Sequence, residues 1–445
     1  MDKIKIKDIL SFSFVLLIIF TLSMTAFAGG EEWIRTSDAA GVILDVEFVN
    51  PTEVDSDQLL FKIYMTTHSG NLLDNNFAEN TTIRSNKEEL TGKDISWEWE
   101  RKSSHHPIGL LKANNNQFIT EGTKYIELVI DDIRATRHRF RWNFAQNERL
   151  LAYIPNAASG TVSVIDMAEK MVVDTIKVGE EASHGIEITP DGKYLYTGDF
   201  QNGLIKIYNL STNVLVRTLE VNSTVHGIDM SPDGKYILVA SGSESKVAVI
   251  DTKKQKIIKV IEKGIGKSPS HIDFDPKGKF ALLTNLESND ISVISIPDFK
   301  VTLRIPVGDG PNESRVAPDG EFAYVANWES NTISVIDLRK FEVVDEIDVG
   351  EGTHGVIVSP NSKKIWTANR KTNNVAVINV TTREVEKYIA AGEYANHLEF
   401  TPNGQKVVVT NSRDNEAIII DTETYQITSR IKVGEEPHEI TFLKE

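Results

Sequence analysis

From residue 151 onward, short runs of β-branched and other apolar residues alternate with polar turns at a constant period. Each turn is a proline followed two positions later by glycine or serine, at Pro190, Pro232, Pro276, Pro318, Pro360 and Pro402. Successive prolines are 42, 44, 42, 42 and 42 residues apart. A period of roughly 40–45 residues built from strands is the spacing of one four-stranded propeller blade. The pattern therefore predicts a β-propeller.

Each repeat contains the same succession of extended segments, for example YVAN (324–327) followed by ISVID (333–337). Near-continuous apolar runs of this kind predict strands that are buried on both faces, as between stacked blades. A further strand precedes each proline, and its last copy, HEITF (438–442), has no blade after it. Because the first blade lacks this strand, the C-terminal strand is predicted to complete it and close a ring of seven blades.

Residues 29–148 do not share the repeat. They contain alternating apolar and polar segments at 41–49, 59–67, 124–133 and 138–144, separated by turns with Asn and Gly. This pattern predicts an immunoglobulin-like β-sandwich. The fold class is therefore all-β, with an N-terminal β-sandwich followed by a seven-bladed propeller.

The repeats resemble the YVTN-type seven-bladed propellers, exported proteins whose repeat reads like PHGIxxSPDGKYxYVANxxSNTVSVID. The resemblance covers residues 151–445 and recurs in every blade. It implies the fold but leaves the function open, because relatives range from surface-layer and adhesion modules to redox enzymes and lactonases. The preceding segment is similar to small exported bacterial domains with a THS and a SW…HH pattern, here Thr67-His68-Ser69, Ser96-Trp97 and His105-His106.

The chain begins with the features of a secretory signal peptide. Lys3, Lys5 and Lys7 precede an apolar run, 9–24, and Ala26-Phe27-Ala28 supplies the small-x-small cleavage pattern. An uncleaved membrane anchor is the alternative, which the length of the run nearly supports. The predicted domains are a signal peptide at 1–28, a β-sandwich at 29–148 and a propeller at 149–445. The protein is expected to be secreted or held in the cell envelope, with no membrane span after signal removal.

Composition excludes several classes of chemistry. The chain has no cysteine, which rules out disulfides, thiol nucleophiles, iron–sulfur ligation and covalent c-type haem attachment. The formal charge is −16, from 64 acidic and 48 basic residues. Nucleic-acid binders need a basic surface to displace counterions, so no nucleic-acid partner is expected. A basic run at 134–141 is interpreted as the solvated face of a strand.

Histidine is the most suggestive residue, since six of the ten histidines lie at the start of innermost strands. Two positions of that strand are predicted to line the channel and bind a ligand. Counted back from each turn, the first supplies His184, His226, Asn312, His354, Asn396 and His438, and the other supplies Glu187, Asp229, Asp273 and Arg315. Strand alternation predicts that His271 and His397, one position further along, point differently from the other four.

Two interpretations of these residues remain open. In the first, Arg315 and trapped water satisfy the carboxylates, and the histidines form hydrogen bonds between neighbouring blades. In the second, a metal or tetrapyrrole binds at the channel mouth. Haem d1 nitrite-reductase propellers look similar in using histidines, although they have eight blades. The candidate metal ligands are His184, His226, His354 and His438, and copper, zinc and iron are the candidate metals.

The N-terminal domain offers a second candidate metal site. His68, His105 and His106 are enough imidazoles for copper or zinc, whereas Met65 lies on the opposite face of a regular strand from His68. Loop histidines that bond to backbone carbonyls are the equally simple alternative.

The sequence favours an exported or cell-surface propeller that acts as a ligand- or protein-binding module. Its partner would be a small ligand or a cell-surface or extracellular protein. The alternative is a metal- or tetrapyrrole-binding redox protein with a histidine-lined site at the channel mouth. For a third class, a lactonase-like hydrolase, the sequence nominates no residue. Neither the cofactor nor the presence of catalysis is decided by these patterns.

Overall fold

The computed structural model describes residues 33–39, 41–49, 58–67, 70–115, 118–119, 123–134, 136–143 and 149–444. The chain divides into two compact units, one up to residue 147 and the other from residue 148. The predicted signal peptide, residues 1–28, and the candidate ligand His68 lie outside the described residues. No helix in these ranges is long and apolar enough to cross a membrane.

The first unit contains two antiparallel sheets around one shared core. Its strands are β1 (Ile34–Ala39), β2 (Val42–Phe48), β3 (Gln58–Thr67), β4 (Thr81–Ser85), β5 (Glu89–Leu90), β6 (Ile95–Arg101), β7 (Ile108–Asn114), β8 (Tyr125–Ile133) and β9 (Thr136–Asn143). One sheet has the order β1-β2-β3-β7-β6 and the other β5-β4-β8-β9. A short 3₁₀ turn, Gly92–Asp94, precedes β6.

Strict alternation explains this arrangement. In β2 every second side chain is buried, and Phe48 stacks on Phe61 of β3 with ring centroids 4.6 Å apart. Trp142 of the second sheet lies 5.4 Å from Phe61, which joins the two sheets through aromatic contacts. The basic run is less solvated than the sequence suggests. Arg139 is only 13% exposed and pairs with Glu127 at 2.8 Å.

The second unit is a seven-bladed propeller of four-stranded antiparallel sheets. Its strands are β10 (Leu150–Asn156), β11 (Thr161–Asp166), β12 (Met171–Lys177), β13 (Ala182–Ile188), β14 (Tyr194–Asp199), β15 (Leu204–Asn209), β16 (Val214–Glu220), β17 (Ile228–Met230), β18 (Tyr236–Ser241), β19 (Lys246–Asp251), β20 (Lys256–Ile261), β21 (Pro269–Phe274), β22 (Phe280–Asn285), β23 (Asp290–Ser295), β24 (Lys300–Pro306), β25 (Pro311–Val316), β26 (Phe322–Asn327), β27 (Thr332–Asp337), β28 (Glu342–Asp348), β29 (Thr353–Val358), β30 (Lys364–Asn369), β31 (Asn374–Asn379), β32 (Val385–Ala390), β33 (Ala395–Phe400), β34 (Lys406–Asn411), β35 (Glu416–Asp421), β36 (Ile427–Lys432) and β37 (Thr441–Lys444). A 3₁₀ turn, Gly242–Glu244, joins β18 to β19.

The C-terminal strand closes the ring, as the sequence predicts. β37 pairs antiparallel with β10, with Leu443 opposite Leu151, so that the first blade is built from both ends of the propeller unit. The proline–glycine turns lie between the first and second strands of a blade. Gly192 has a φ of 68°, a left-handed conformation that glycine adopts without a steric penalty.

The innermost strands are irregular near their starts, and this irregularity positions the candidate site. The pairing of β13 with β14 shifts register between Ala182 and Ile186, and equivalent shifts occur in β21, β25, β29 and β33. A bulge of this kind redirects side chains relative to regular alternation. Consecutive residues after the shift can therefore line the same channel at different depths.

Candidate ligand site at the mouth of the channel

A polar cavity of about 630 Å³ lies at the start of the innermost strands and is called here the mouth cavity. It brings together five of the predicted ligand-binding residues, which come from five different blades. Its lining consists of Ala158, His184, His226, Asn312, His354, Arg370, Tyr394, Ser412, Arg413, Asn415, Glu435, Glu436 and His438. Asn396, the remaining residue predicted at the same strand position as these five, is fully buried and is not part of the lining.

Four imidazole rings form the inner part of the mouth cavity. His184 stacks on His438 with ring centroids 3.7 Å apart, and it meets the ring of His226 edge-on at 4.3 Å. Phe200 lies parallel to His184 at 5.6 Å. On the other side of the cavity, Trp328 contacts the ring of His354 at 6.1 Å. The imidazoles of the mouth cavity are therefore packed against one another and against two further aromatic rings.

These imidazoles are neutral at physiological pH. Burial lowers the pKa of His226 to about 4, and burial also lowers the pKa values of His184, His354 and His438 well below the ordinary histidine value. His226 donates a hydrogen bond from Nδ1 to the carbonyl of Ser270 at 3.2 Å. The Nδ1 atoms of His354 and His438, by contrast, are buried without a hydrogen-bond partner. His271 and His397 of the same channel also have one buried ring nitrogen without a hydrogen-bond partner.

Cations and aromatic rings occupy the outer part of the mouth cavity. Arg370 follows β30 and donates from Nε to Oδ1 of Asn396 at 2.9 Å. The guanidinium groups of Arg370 and Arg413 lie 4.9 Å and 4.5 Å from the ring centroid of Tyr394. Lys371 lies 4.9 Å from the ring of Trp328. Cation–π contacts of this kind hold long side chains in place.

The next layer along the inner strands, called here the acidic layer, surrounds a void of about 40 Å³. Arg315 is its central cation, within 3.0 Å of Glu313 and 3.5 Å of both Asp273 and Glu399. His397 donates from Nδ1 to Glu313 at 3.0 Å. The remaining members are His271, Glu187, Asp229 and Glu439. The predicted pairing of Arg315 with channel carboxylates is present.

Most carboxyl groups of the acidic layer are poor acids. Burial raises the pKa of Asp229 to about 6, and it raises the pKa values of Glu187, Asp273 and Glu439 well above their ordinary values. Glu313 is the exception. Burial opposes its ionisation, but His271, the hydrogen bond from His397 and the charge of Arg315 together hold its pKa below the usual value. Within the acidic layer, Glu313 therefore ionises more readily than the neighbouring carboxyl groups, which hold their protons to higher pH.

Among the described residues, no group of three or more histidine, aspartate or glutamate side chains is arranged to hold a metal ion. In the N-terminal unit, His105 donates to the carbonyl of Thr67 at 3.2 Å, and His106 lies 3.3 Å from the hydroxyl of Thr66. Met65 is buried in the core.

Sequence reasoning missed several residues of both layers. It did not nominate Arg370, Tyr394 and Arg413, which lie in loops at repeated positions whose residue types differ from blade to blade. The sequence also predicts that His271 and His397 point differently from the other four channel histidines. In the structure these two line the acidic layer, whereas the other four line the mouth cavity, and the rings of His354 and His397 are 4.7 Å apart.

Comparison with known proteins supports the propeller fold. The family model described as "Lactonase, 7-bladed beta-propeller" matches residues 271–435, which is less than half of the chain, and "WD domain, G-beta repeat" matches residues 213–251. No curated protein matches the chain.

Three solved structures illustrate the range of similar propellers. A putative 6-phosphogluconolactonase from Bacteroides fragilis is 19% identical with a TM-score of 0.58, covering 68% of this chain and 99% of that one. Hydrazine synthase from Kuenenia stuttgartiensis is 17% identical with a TM-score of 0.56, covering 61% and 92%. The dihydro-heme d1 dehydrogenase NirN is 16% identical with a TM-score of 0.52, covering 65% and 74%. At such identities the likeness concerns the fold alone.

Proposed function

We propose that this protein is an exported or cell-surface binding module whose propeller takes a small polar ligand into the mouth cavity. The observation that carries the proposal is a polar cavity of about 630 Å³ whose lining brings together four histidines, His184, His226, His354 and His438, from four blades. Sites for small molecules commonly have volumes of about 300–1,000 Å³ and a few convergent polar groups.

Export supports the same proposal. The proposed signal peptide, residues 1–28, would direct the protein out of the cytoplasm, and the YVTN-type resemblance is typical of exported proteins. We also propose that the N-terminal β-sandwich is immunoglobulin-like. A rigid ring of seven blades presents the cavity without any need for a conformational change.

The test is a ligand screen on the protein purified without its first 28 residues. Thermal shift and the fluorescence of Trp328, which contacts His354, should report binding of at least one small polar compound. Replacing both wall histidines, His354→Leu and His438→Leu, should weaken that binding at least tenfold. The matched control is His106→Ala, a histidine of the other unit, which should bind normally. If no compound in a broad screen binds, or if the double variant binds like the wild type, the proposal fails.

A tetrapyrrole is the second candidate ligand, because the wall imidazoles are neutral and neutral imidazole is the form that ligates iron. The residues fit a tetrapyrrole, whose iron needs one or two imidazole ligands, better than a bare zinc or copper ion, which needs three or more ligands. The dihydro-heme d1 dehydrogenase NirN has a similar fold. His184 or His438 would hold the group, which would supply one-electron chemistry.

The two candidates are separated by an absorption spectrum and elemental analysis of the natively purified protein. A tetrapyrrole band with stoichiometric iron, lost in the variant His184→Leu/His438→Leu, supports the redox alternative. If the protein has no such band and binds no added haemin, the redox alternative fails and the binding-module proposal stands.

A further inference from the structure

Arg370, one of the two arginines that line the mouth cavity, forms no salt bridge with any described residue. No carboxylate oxygen of the described residues lies within 4.0 Å of its guanidinium group, which donates hydrogen bonds to the neutral amide of Asn396. Glu436 acts on Arg370 electrostatically from beyond that distance. Arg315, in the acidic layer, shows the opposite arrangement, since three carboxylates surround it within 3.5 Å.

Arg370 is nevertheless held in a fixed position. Its Nε and Nη2 atoms both donate to Oδ1 of Asn396, and the amide of Asn396 in turn donates to the carbonyl of Pro437 at 2.9 Å. The rings of Tyr394 and Trp328 lie 4.9 Å and 5.7 Å from the guanidinium carbon. A planar guanidinium fixed in this way keeps its remaining N–H groups oriented for a planar or tetrahedral anion.

Glu436 is the one carboxylate of the mouth cavity lining with a resolved electrostatic effect on Arg370, and it acts from the solvent-exposed rim. The four histidines of the wall are uncharged, as described above. Glu435 and Glu436 line the cavity but are solvent-exposed at its rim, and Arg413 is exposed beside them. Charges at an exposed rim are largely screened by water and salt, whereas a charge that is partly buried is not.

From this arrangement we infer that the mouth cavity selects an anionic ligand, a small molecule with a carboxylate or phosphate group, and that Arg370 is its anchor. This inference rests on the proposed ligand-binding function and specifies the chemical class of ligand. The polar wall of imidazoles and amides, including Asn312 and Asn415, would contact the uncharged part of the molecule. Arg370 is a binding residue here, and no reaction is assigned to it.

The experiment compares ligands that share a carbon skeleton and differ in charge. Glucose, gluconate and glucose 6-phosphate are titrated into the mature protein by calorimetry at low ionic strength, together with inorganic phosphate and citrate. At least one of the four anions should bind at least tenfold more tightly than glucose. The gluconate and glucose 6-phosphate arms distinguish a carboxylate from a phosphate ligand.

Variants then assign the effect to one side chain. Arg370→Gln should weaken binding of the anion about ten- to a hundredfold, the range expected when a hydrogen bond to a charged group is lost. Arg339→Gln, an exposed arginine of the outer surface with 69% side-chain exposure, is the matched control and should bind the anion like the wild type. The anion should also raise the Tm of the wild type and of Arg339→Gln but not that of Arg370→Gln.

The outcomes separate this inference from the proposed function. If none of the four anions binds more tightly than glucose, or if Arg370→Gln binds the anion like the wild type, selection of anions by Arg370 is wrong. Should an uncharged compound then bind in a manner that depends on His354 and His438, the mouth cavity remains a ligand site. Should no compound of any charge bind, the proposed function fails as well.

Discussion

Replacing Arg315 with methionine is expected to destabilise the propeller strongly at neutral pH. Methionine preserves part of the aliphatic stem, so the change mainly removes the positive charge and its contacts with Glu313, Asp273 and Glu399. Removing one partner of a buried ion pair costs about 3–5 kcal/mol, because the other charge stays buried without compensation. The side chain of Arg315 is 26% exposed, which places the expected loss at the lower end, about 3 kcal/mol.

This loss should be visible as a shift in thermal stability. For a unit of about 300 residues, an entropy of unfolding of about 2.1 cal/mol/K per residue converts 3 kcal/mol into a fall of about 5 °C in Tm. Urea unfolding followed by tryptophan fluorescence gives the free energy directly. Arg339→Met is the matched control, since Arg339 is 69% exposed and lies 3.8 Å from Asp337. An exposed pair of this kind contributes about 0–1 kcal/mol.

The pH dependence of the deficit tests the electrostatic reasoning itself. Without Arg315, the folded-state pKa values of its three carboxyl partners should rise, so the folded variant retains more protons than the wild type. Since stability falls with rising pH wherever the folded state binds more protons, the deficit should be larger at pH 7 than at pH 5. A variant as stable as the wild type at pH 7, or a deficit equal at both pH values, would refute the account.

Three further expectations follow from the same structure. Because Glu187, Asp273 and Glu439 have folded-state pKa values well above their unfolded ones, the propeller should lose stability as pH rises above the unfolded-state histidine pKa of about 6.5, and a Tm that rises with pH there contradicts this. Removing residues 438–445 deletes β37 and exposes the edge of β10, so size-exclusion chromatography should show aggregation, and a stable monomer argues against closure by this strand. Trp366→Ala, at a side chain only 1% exposed, should cost about 3–5 kcal/mol in urea unfolding, and a loss below 1 kcal/mol would mean that the blades repack.

The propeller could be predicted from sequence because its determinants are local and periodic. The turn at Pro190-Asp191-Gly192 requires a residue in the left-handed conformation, and the strand after it requires an apolar run. Each blade therefore repeats the same turn residues followed by the same apolar pattern. Closure by residues 441–444 could be deduced by counting, since the first blade has no innermost strand of its own. The N-terminal sandwich was accessible for a similar reason, because the alternation in β2 predicts one buried face.

The candidate site was only partly accessible because two of its determinants are not periodic. The register shift near the start of the inner strands brings His397 to the same channel as His354, and nothing in the local sequence marks that shift. Arg370 lies at a repeated loop position whose residue type differs from blade to blade, with Trp328 and Ser412 as its equivalents in the neighbouring blades, so the repeat does not draw attention to a charge there. Its neighbour Asn396 was nominated as a channel residue, and its role is to hold Arg370 in place.

Arg315 and Arg370 show why comparing equivalent positions of the repeats predicts the ion pairs of the acidic layer but misses the arginine of the mouth cavity. Arg315 occupies a column whose other members are mostly carboxylates, so the sum of charges at that depth indicates its partners from sequence alone. The column of Arg370 contains uncharged residues in the neighbouring blades, such as Trp328 and Ser412, and its lack of a carboxylate within 4.0 Å among the described residues becomes visible only in the structure. A compensated arginine stabilises the ring, whereas an uncompensated one beside a cavity keeps its charge for a molecule from outside. We therefore expect the ligand specificity of this propeller to depend on loop residues, and its stability to depend on the repeat.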